Sequence, residues 1–374
     1  MIYLDNAATT APSESVLATM EAMSRNTFGN PSSLHMAGVE AEKTVEAARD
    51  KLAGAIGAAR DEVCFGPSGT LCNNVAILGA ARALRRRGNR VVISTIEHAC
   101  VRETAKSLAD EGFEVIEAEP TEEGFRQTIN DKTVLVSCML VNNETGLILP
   151  VHALKNIILS AGAPALLHTD CVQALGKIPV QVKKLGVDLA TFSAHKLHGP
   201  KGVGALYVKK GTRLVPVIFG GGQEKGLFSG THNTPGIAGF GEAVRLAREE
   251  FDKRQADLKQ LSEAFVNEAQ KRDYLAINRD GGSYAPHIVN ISFMGYMGEN
   301  VLHYLESEGV YVSVGAACSN NSGHGSILDK MHKDIRHTAG AIRVSFSHAN
   351  TLDDIQAFFA AADKAAAVLI KKYK

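Results

Sequence analysis

Lys196 stands in a turn crowded with small residues, Ser193-Ala194-His195-Lys196-Leu197-His198-Gly199-Pro200-Lys201-Gly202, directly after the apolar run Val187 to Phe192. A lysine at the carboxyl end of a buried strand, between a hydroxyl and an imidazole, is placed to hold pyridoxal phosphate (PLP) covalently. The same residues suit a solvated lysine in a Gly/Pro loop, and the turn alone does not separate the two readings.

Three upstream features favour the first. Ala165-Leu166-Leu167-His168-Thr169-Asp170 is an apolar strand ending in a carboxylate, followed by Cys171-Val172-Gln173. Asp170 there can pair with a protonated pyridine nitrogen and keep the ring an electron sink, and Gln173 can hydrogen-bond the ring oxygen O3′. A helix N-cap is the plainer role for such an Asp. Glu62 to Leu78, with Gly66-Pro67-Ser68-Gly69-Thr70 at its centre, reads as strand, glycine turn and helix. Gly69 and the Thr70 hydroxyl at a helix N-terminus suit a phosphate, although Gly-Thr also caps helices that bind nothing. His98, in Ile96-Glu97-His98-Ala99-Cys100, follows the strand Val91–Ser94. It can lie over a cofactor ring and handle protons, or serve as a structural histidine.

Together these pieces closely resemble the NifS/IscS-type cysteine desulfurases. The matching segments are Asn6-Ala7-Ala8-Thr9-Thr10, Phe28-Gly29-Asn30-Pro31-Ser32-Ser33, Glu97-His98, Val141-Asn142-Asn143-Glu144-Thr145-Gly146, His168-Thr169-Asp170-x-x-Gln173 and Ser193-Ala194-His195-Lys196, in register over nearly the whole chain. Val312 to Gly325, which contains Ala316-Ala317-Cys318-Ser319, looks like the family's active-site cysteine segment in its long-loop version. Its Ser/Asn/Gly run has almost no apolar surface to bury, so a mobile loop is expected there. A loop cysteine without a role, or a zinc ligand with His324, His332 or His337, is the competing reading; the spacing lacks CxxC or HxxxH character, and no metal is expected.

The resemblance implies a mechanism. L-cysteine displaces Lys196 from PLP, with its carboxylate on Arg343 and Asn143, and Lys196 moves the Cα proton. The Cys318 thiolate attacks the substrate sulfur, alanine leaves, and Cys318 keeps a persulfide for an acceptor protein, an iron–sulfur scaffold or a thiolation enzyme. His98 is the implied acid/base, and Thr70, Ser193 and His195 hold the phosphate. Arg343 also reads independently, because an arginine in the apolar strand Ala341–Phe346 needs an anion, either a substrate carboxylate or an internal Asp or Glu. In the family a Ser-Gly-Thr turn of the neighbouring subunit completes the phosphate cup. Here that turn is Ser229-Gly230-Thr231, which makes a homodimer the expectation; an ordinary surface turn is the other reading. The chain departs from the pattern at Phe228, where Arg is usual, Leu71, where Glu is common, Gln223, where His is frequent, and Gly325-Ser326. Phe228 in particular implies a charge lost from the dimer-side rim of the site. Two other classes stay open: another PLP lyase or transferase, such as a selenocysteine lyase or cysteine β-lyase, and a non-catalytic partner-binding homologue.

Composition agrees with an enzyme of this kind. The 374 residues are 45% hydrophobic, enough for a large core plus a second lobe. Forty basic and forty acidic residues cancel, so nothing draws the whole chain toward nucleic acid or an anionic membrane. Six scattered cysteines, most inside apolar runs, read as free thiols of a reducing compartment. With no signal-like N-terminus and no long uncharged apolar segment, a cytoplasmic protein is expected.

Runs near 63–65, 91–94, 133–138, 165–169, 188–192 and 204–208 alternate with helix-like segments, among them one with Val45, Ala48, Leu52 and Ile56 at helical spacing. This predicts an α/β fold with a mostly parallel sheet covered by helices, and the resemblance specifies the aspartate-aminotransferase-like fold type I with a smaller α+β domain. The expected division is a PLP-binding domain over 15–255 and a small domain of 1–14 plus 256–374 that carries the cysteine loop. Thr351-x-x-Asp354 predicts a capped last helix.

Overall fold

The computed structural model describes residues 1–314, 327–331 and 333–373. Two compact units emerge: a larger one of residues 10–140 and 149–250, and a smaller one of residues 1–9, 141–148 and 251–374.

The larger unit is built on a seven-stranded sheet in the order Val63–Gly66, Gly204–Val208, Leu189–Ser193, Leu166–Asp170, Thr133–Ser137, Arg90–Ser94, Glu114–Ala118. The last five run parallel, while Gly204–Val208 is antiparallel to both its neighbours. Val63–Gly66 therefore points the same way as the parallel set, and Gly66, Ser193, Asp170 and Ser94 all end at one edge of the sheet. A parallel sheet needs helices on both faces. Accordingly the strands Val63–Gly66, Thr133–Ser137 and Leu189–Ser193 are buried throughout. The helix Met36–Ile56 buries Ala41, Val45, Ala48, Leu52 and Ile56, the spacing of one apolar stripe. The edge strand Glu114–Ala118 keeps Glu114 and Glu117 exposed, as the unpaired side of a sheet tolerates.

The smaller unit has a four-stranded antiparallel sheet, Ser313–Val314, Ala341–Ser345, Ile288–Phe293, Leu275–Ile277, and a short parallel pair of Ile2–Tyr3 with Val310–Tyr311. Its core is aromatic: the Phe265 ring lies 4.8 Å from Phe359, 5.0 Å from Phe358 and 5.7 Å from Phe346. The last helix, Leu352–Val368, starts on the expected box, with Thr351 and Asp354 capping each other's backbone N–H. Residues 141–148, closed on themselves by the bridge Val141↔Ile148, join this unit through the bridge Leu147↔Tyr284 and the bond from Asn290 Nδ2 to Glu144 O. Among the described residues no helix is long and apolar enough to cross a membrane.

His168 ties the central strands together, with Nδ1 2.8 Å from Ser137 Oγ and Nε2 3.2 Å from Thr191 Oγ1. Burial pushes its imidazole down to about 3. The folded value lies below the unfolded one, so the unfolded chain takes the proton first, and stability is lost as pH falls from about 6.5 toward 3. Each such proton costs about 1.4 kcal/mol per pH unit. His168→Gln should therefore weaken the fold at pH 7.5 yet flatten its loss of stability between pH 6.5 and pH 4, read as urea midpoints across that range.

Candidate active site

Three glycine and serine positions bring the strand ends together. Gly66 pairs with Gly204, and Gly204 pairs with Ser193, on one rung of the sheet. A Cβ on Gly204 would stand 2.7 Å from the Ser68 carbonyl carbon and 2.9 Å from Gly69 N, so only glycine lets the turn Pro67–Gly69 lie this close. The helix Gly69–Leu84 then starts beside Ser193: a Cβ on Gly69 would lie 3.3 Å from Ser193 Cβ and 3.1 Å from Val172 Cγ2. Its cap is Ser68, whose Oγ accepts from Leu71 N at 3.2 Å; Thr70 is not the capping residue. The helix start at Gly69 and Thr70, with Ser193 beside it, makes a cradle that suits a phosphate.

Asp170 is 5% exposed at the end of Leu166–Asp170. Its Oδ1 accepts from Val172 N at 2.9 Å and its Oδ2 from Asn73 Nδ2 at 2.7 Å. The first bond closes a turn rather than capping a helix, since residues 172–177 are turns. Each oxygen keeps a lone pair for a cationic ring nitrogen. Asn73, fully buried one helical turn after Gly69, is the partner that sequence reading did not single out. The spacing from Gly69 hints at a shared face, but its contact with Asp170 spans 97 positions.

His98 ends the turn after Arg90–Ser94 and caps the helix Ala99–Ser107, its Nδ1 accepting from Cys100 N at 3.1 Å and lying 3.0 Å from Cys100 Sγ. An accepting Nδ1 puts the proton of the neutral ring on Nε2. Burial pushes this imidazole down, Asp170 pulls the other way, and Lys196 adds to the burial, so the three groups share one electrostatic environment. His195 is pushed down to about 4 by burial and then by Lys196, Lys201 and Lys177, which keeps it a neutral donor or acceptor near pH 7. Lys196 closes a single 3-10 turn, Ala194–Lys196, directly after Leu189–Ser193, and its carbonyl accepts from Lys177 Nζ. Gln173 is 5% exposed, three residues after Asp170.

Glu97 enters as a further member. It is 1% exposed, its Oε1 accepts from Met139 N at 2.7 Å, and burial, then Asp170, push it up to about 8. The larger unit thus gathers Gly69, Thr70, His98, Asp170, Gln173, Ser193, His195 and Lys196 along one sheet edge. With a buried carboxylate, a lysine and a glycine cradle, this set fits PLP.

Within the smaller unit Arg343 donates from Nη1 to Asn143 O at 2.8 Å and from Nη2 to Asp5 Oδ1 at 2.7 Å. The anion that a buried strand arginine requires is therefore supplied inside the chain by Asp5. Arg343 Nε and Asn143 Oδ1 are both buried without a hydrogen-bond partner among the described residues. Thr231 is exposed in the larger unit, and Cys318 lies outside the described residues. Phe228, expected as a gap in a charged rim, is 6% exposed and packs its ring toward Gly66 in the core that includes Cys64 and Cys72. Leu71 is exposed on the first turn of its helix, and Gln223 Oε1 accepts from Gly230 N at 2.9 Å.

The five described cysteines are all free. Burial raises every one, Cys64 to about 11, Cys100 to about 12, and Cys72, Cys138 and Cys171 as well, so none is a thiolate near pH 7.

Residues 2–358 match the family described as aminotransferase class-V. A cysteine desulfurase IscS of Dictyoglomus turgidum is 41% identical over 362 residues, covering 95% of this chain and 91% of the relative. A NifS/IcsS protein homolog of Lactobacillus delbrueckii subsp. bulgaricus is 38% identical, with 97% of each chain covered. Among solved structures, a NifS-like protein superposes with a TM-score of 0.90 at 35% identity over 98% of both chains. SspA in complex with cysteine gives 0.80 at 30% identity, covering 93% of this chain and 99% of that one.

Glu97 supplies a test of the site's electrostatics. Its folded value is raised, so its contribution is intact below about pH 4.5, and the fold is progressively penalised up to about pH 8. Glu97→Gln should raise the melting temperature by about 4 °C at pH 8 and by little at pH 4.5, as thermal melts of the holoenzyme at the two pH values will report.

Proposed function

The chain belongs to the aminotransferase class-V family and is a PLP-dependent cysteine desulfurase; on that premise we propose that Lys196 anchors the cofactor and Cys318 receives the sulfur of L-cysteine as a persulfide. When bound, PLP supplies the electron sink that makes the substrate Cα acidic. The buried Asp170, held by Asn73 and Val172 N, carries this reading: its placement at the same sheet edge as Lys196 supports a carboxylate that keeps a proton on the ring nitrogen. Gln173 serves the ring oxygen, while Gly69, Thr70, Ser193 and His195 bind the phosphate. Lys196 takes the Cα proton, and His98, neutral and protonated on Nε2, handles a proton at the sulfur or the ring. Arg343 and Asn143 orient the substrate carboxylate, a role that the unpartnered N–H donor of Arg343 Nε supports.

Cys318 then forms a bond to the substrate Sγ as the Cβ–Sγ bond breaks. The bonding pair goes to carbon, which is protonated to the methyl group of alanine, and no external oxidant enters. Five of the six thiols are disqualified as nucleophiles by burial, which leaves this part to Cys318. The persulfide passes to an acceptor protein, an iron–sulfur scaffold or thiolation enzyme, in the cytoplasm. The working form is a homodimer in which Thr231 reaches the phosphate of the other copy, a reading supported by the exposure of Thr231.

After incubation with L-cysteine, mass spectrometry should find one added sulfur on Cys318. Cys318→Ala should abolish that adduct and alanine release while the PLP absorbance persists; normal alanine release by Cys318→Ala would overturn the assignment. Asp170→Ala should bind PLP more weakly and slow Cα deprotonation by several orders of magnitude, because the ring nitrogen loses its counter-ion in a low-dielectric site. Exchange of the substrate Cα hydrogen with deuterium from solvent measures that step.

A further inference from the structure

Residues 220–232 form a glycine-rich loop with one short turn closed by backbone bonds from Gly226 N to Gly222 O and from Leu227 N to Glu224 O, and with Gly222, Gly226 and Gly230 at φ of 80°, 78° and 144°. Between them Glu224 and Lys225 adopt φ of 50° and 60°, the left-handed region that side-chain-bearing residues avoid. Two such residues in succession persist only where their surroundings dictate it. The surroundings here converge on the Glu224 carboxylate, which is buried. Arg49 grips it with both terminal nitrogens, at 2.7 and 2.8 Å, His232 Nε2 lies 2.7 Å from Oε1, and Phe65 N donates to Oε2 at 2.9 Å. Arg49 is itself fixed: it donates to Val63 O at 2.7 Å and to Glu46 at 2.9 Å, and stands 5.0 Å over the Phe65 ring.

One carboxylate therefore joins the helix Met36–Ile56, the strand Val63–Gly66 and the far side of its own loop eight residues on. Hydrogen bonds across the loop close it, from Gly230 N to Gln223 Oε1 at 2.9 Å and from Gly222 N to Ser229 Oγ at 3.3 Å. Leu227 and Phe228 sink into the core, and Gly230 and Thr231 are left exposed at the tip. Arg49 and His232 hold the carboxylate of Glu224 ionised against its burial, at about 2, so the clamp keeps its charge at any physiological pH.

We propose that Glu224 is a positioning residue: through Arg49, Phe65 N and His232 it fixes the left-handed turn and thereby sets where the adjacent Thr231 hydroxyl is presented. This rests on the reading that Thr231 serves the cofactor phosphate of a second copy. The test follows PLP loss from the holoenzyme during dialysis, by absorbance, with circular dichroism and sedimentation to certify fold and dimer. Thr231→Val, Glu224→Ala and the milder His232→Phe, which leaves the Arg49 pair in place, should each lose PLP at least tenfold faster than the unmodified protein. Combining Glu224→Ala with Thr231→Val should be no worse than Thr231→Val alone, since Glu224 acts through Thr231.

In a hybrid dimer of one His232→Phe protomer and one Lys196→Ala protomer, the surviving lysine site faces an intact loop and should retain PLP like the unmodified protein. Normal retention by Thr231→Val overturns the reading of Thr231 itself. Loss in Thr231→Val with normal retention in His232→Phe overturns the positioning role alone, as does fast loss from the hybrid when a hybrid built with Thr231→Val is rescued.

Discussion

The close approach of the Pro67–Gly69 turn to the ends of two neighbouring strands is the constraint on which the cofactor side of this molecule depends. Gly204 permits it, because a single Cβ there would collide with the Ser68 carbonyl and the Gly69 nitrogen. Once the turn lies flat on the rung Gly66–Gly204–Ser193, the start of the helix Gly69–Leu84 is carried to Ser193 and Val172. Asn73, one turn further along that helix, is then delivered to Asp170. The antiparallel strand Gly204–Val208 thus does more than extend the sheet. It lets Val63–Gly66 run with the parallel strands while its glycine makes room between them.

Burial sets the protonation states around that edge. It keeps His195 and His98 neutral and leaves Glu97 holding a proton near pH 7, while Asp170 collects donors from Asn73 and Val172. Donors and acceptors are thereby fixed before a substrate arrives, and little charge has to be rearranged when one does. The same burial silences the described thiols. Among the described residues no cysteine is thereby left as a thiolate near pH 7.

What the sequence made legible was local. The buried parallel strands stand out as apolar runs, and the capped last helix follows from four residues. The edge strand Glu114–Ala118 escaped because its glutamates break the run, as an edge permits. Lys196, Asp170 and His98 were singled out because each sits at or shortly after the end of a strand. Asn73 and Glu224 were not, because their partners lie 97 and 175 positions away and no spacing rule links them. At Phe228 the sequence showed a charge missing from the usual pattern, and the structure adds what the position does instead, packing its ring toward Gly66. Cys318 was identified by resemblance, its residue type and neighbours alone leaving other roles open.

The strand pairing of the smaller unit also orders events in time. Ile2 and Tyr3 pair with Val310 and Tyr311, Asp5 bridges Ser345, and the Asp5 carboxylate meets Arg343 across 338 positions. On a ribosome, Ile2 and Tyr3 emerge about 300 residues before the strand Val310–Tyr311 that they join. The larger unit, whose strands all lie before residue 250, can assemble meanwhile. The strand Ile2–Tyr3 is thus made long before it can be seated, and the closing of this long loop belongs to the slow end of folding rather than to its nucleus.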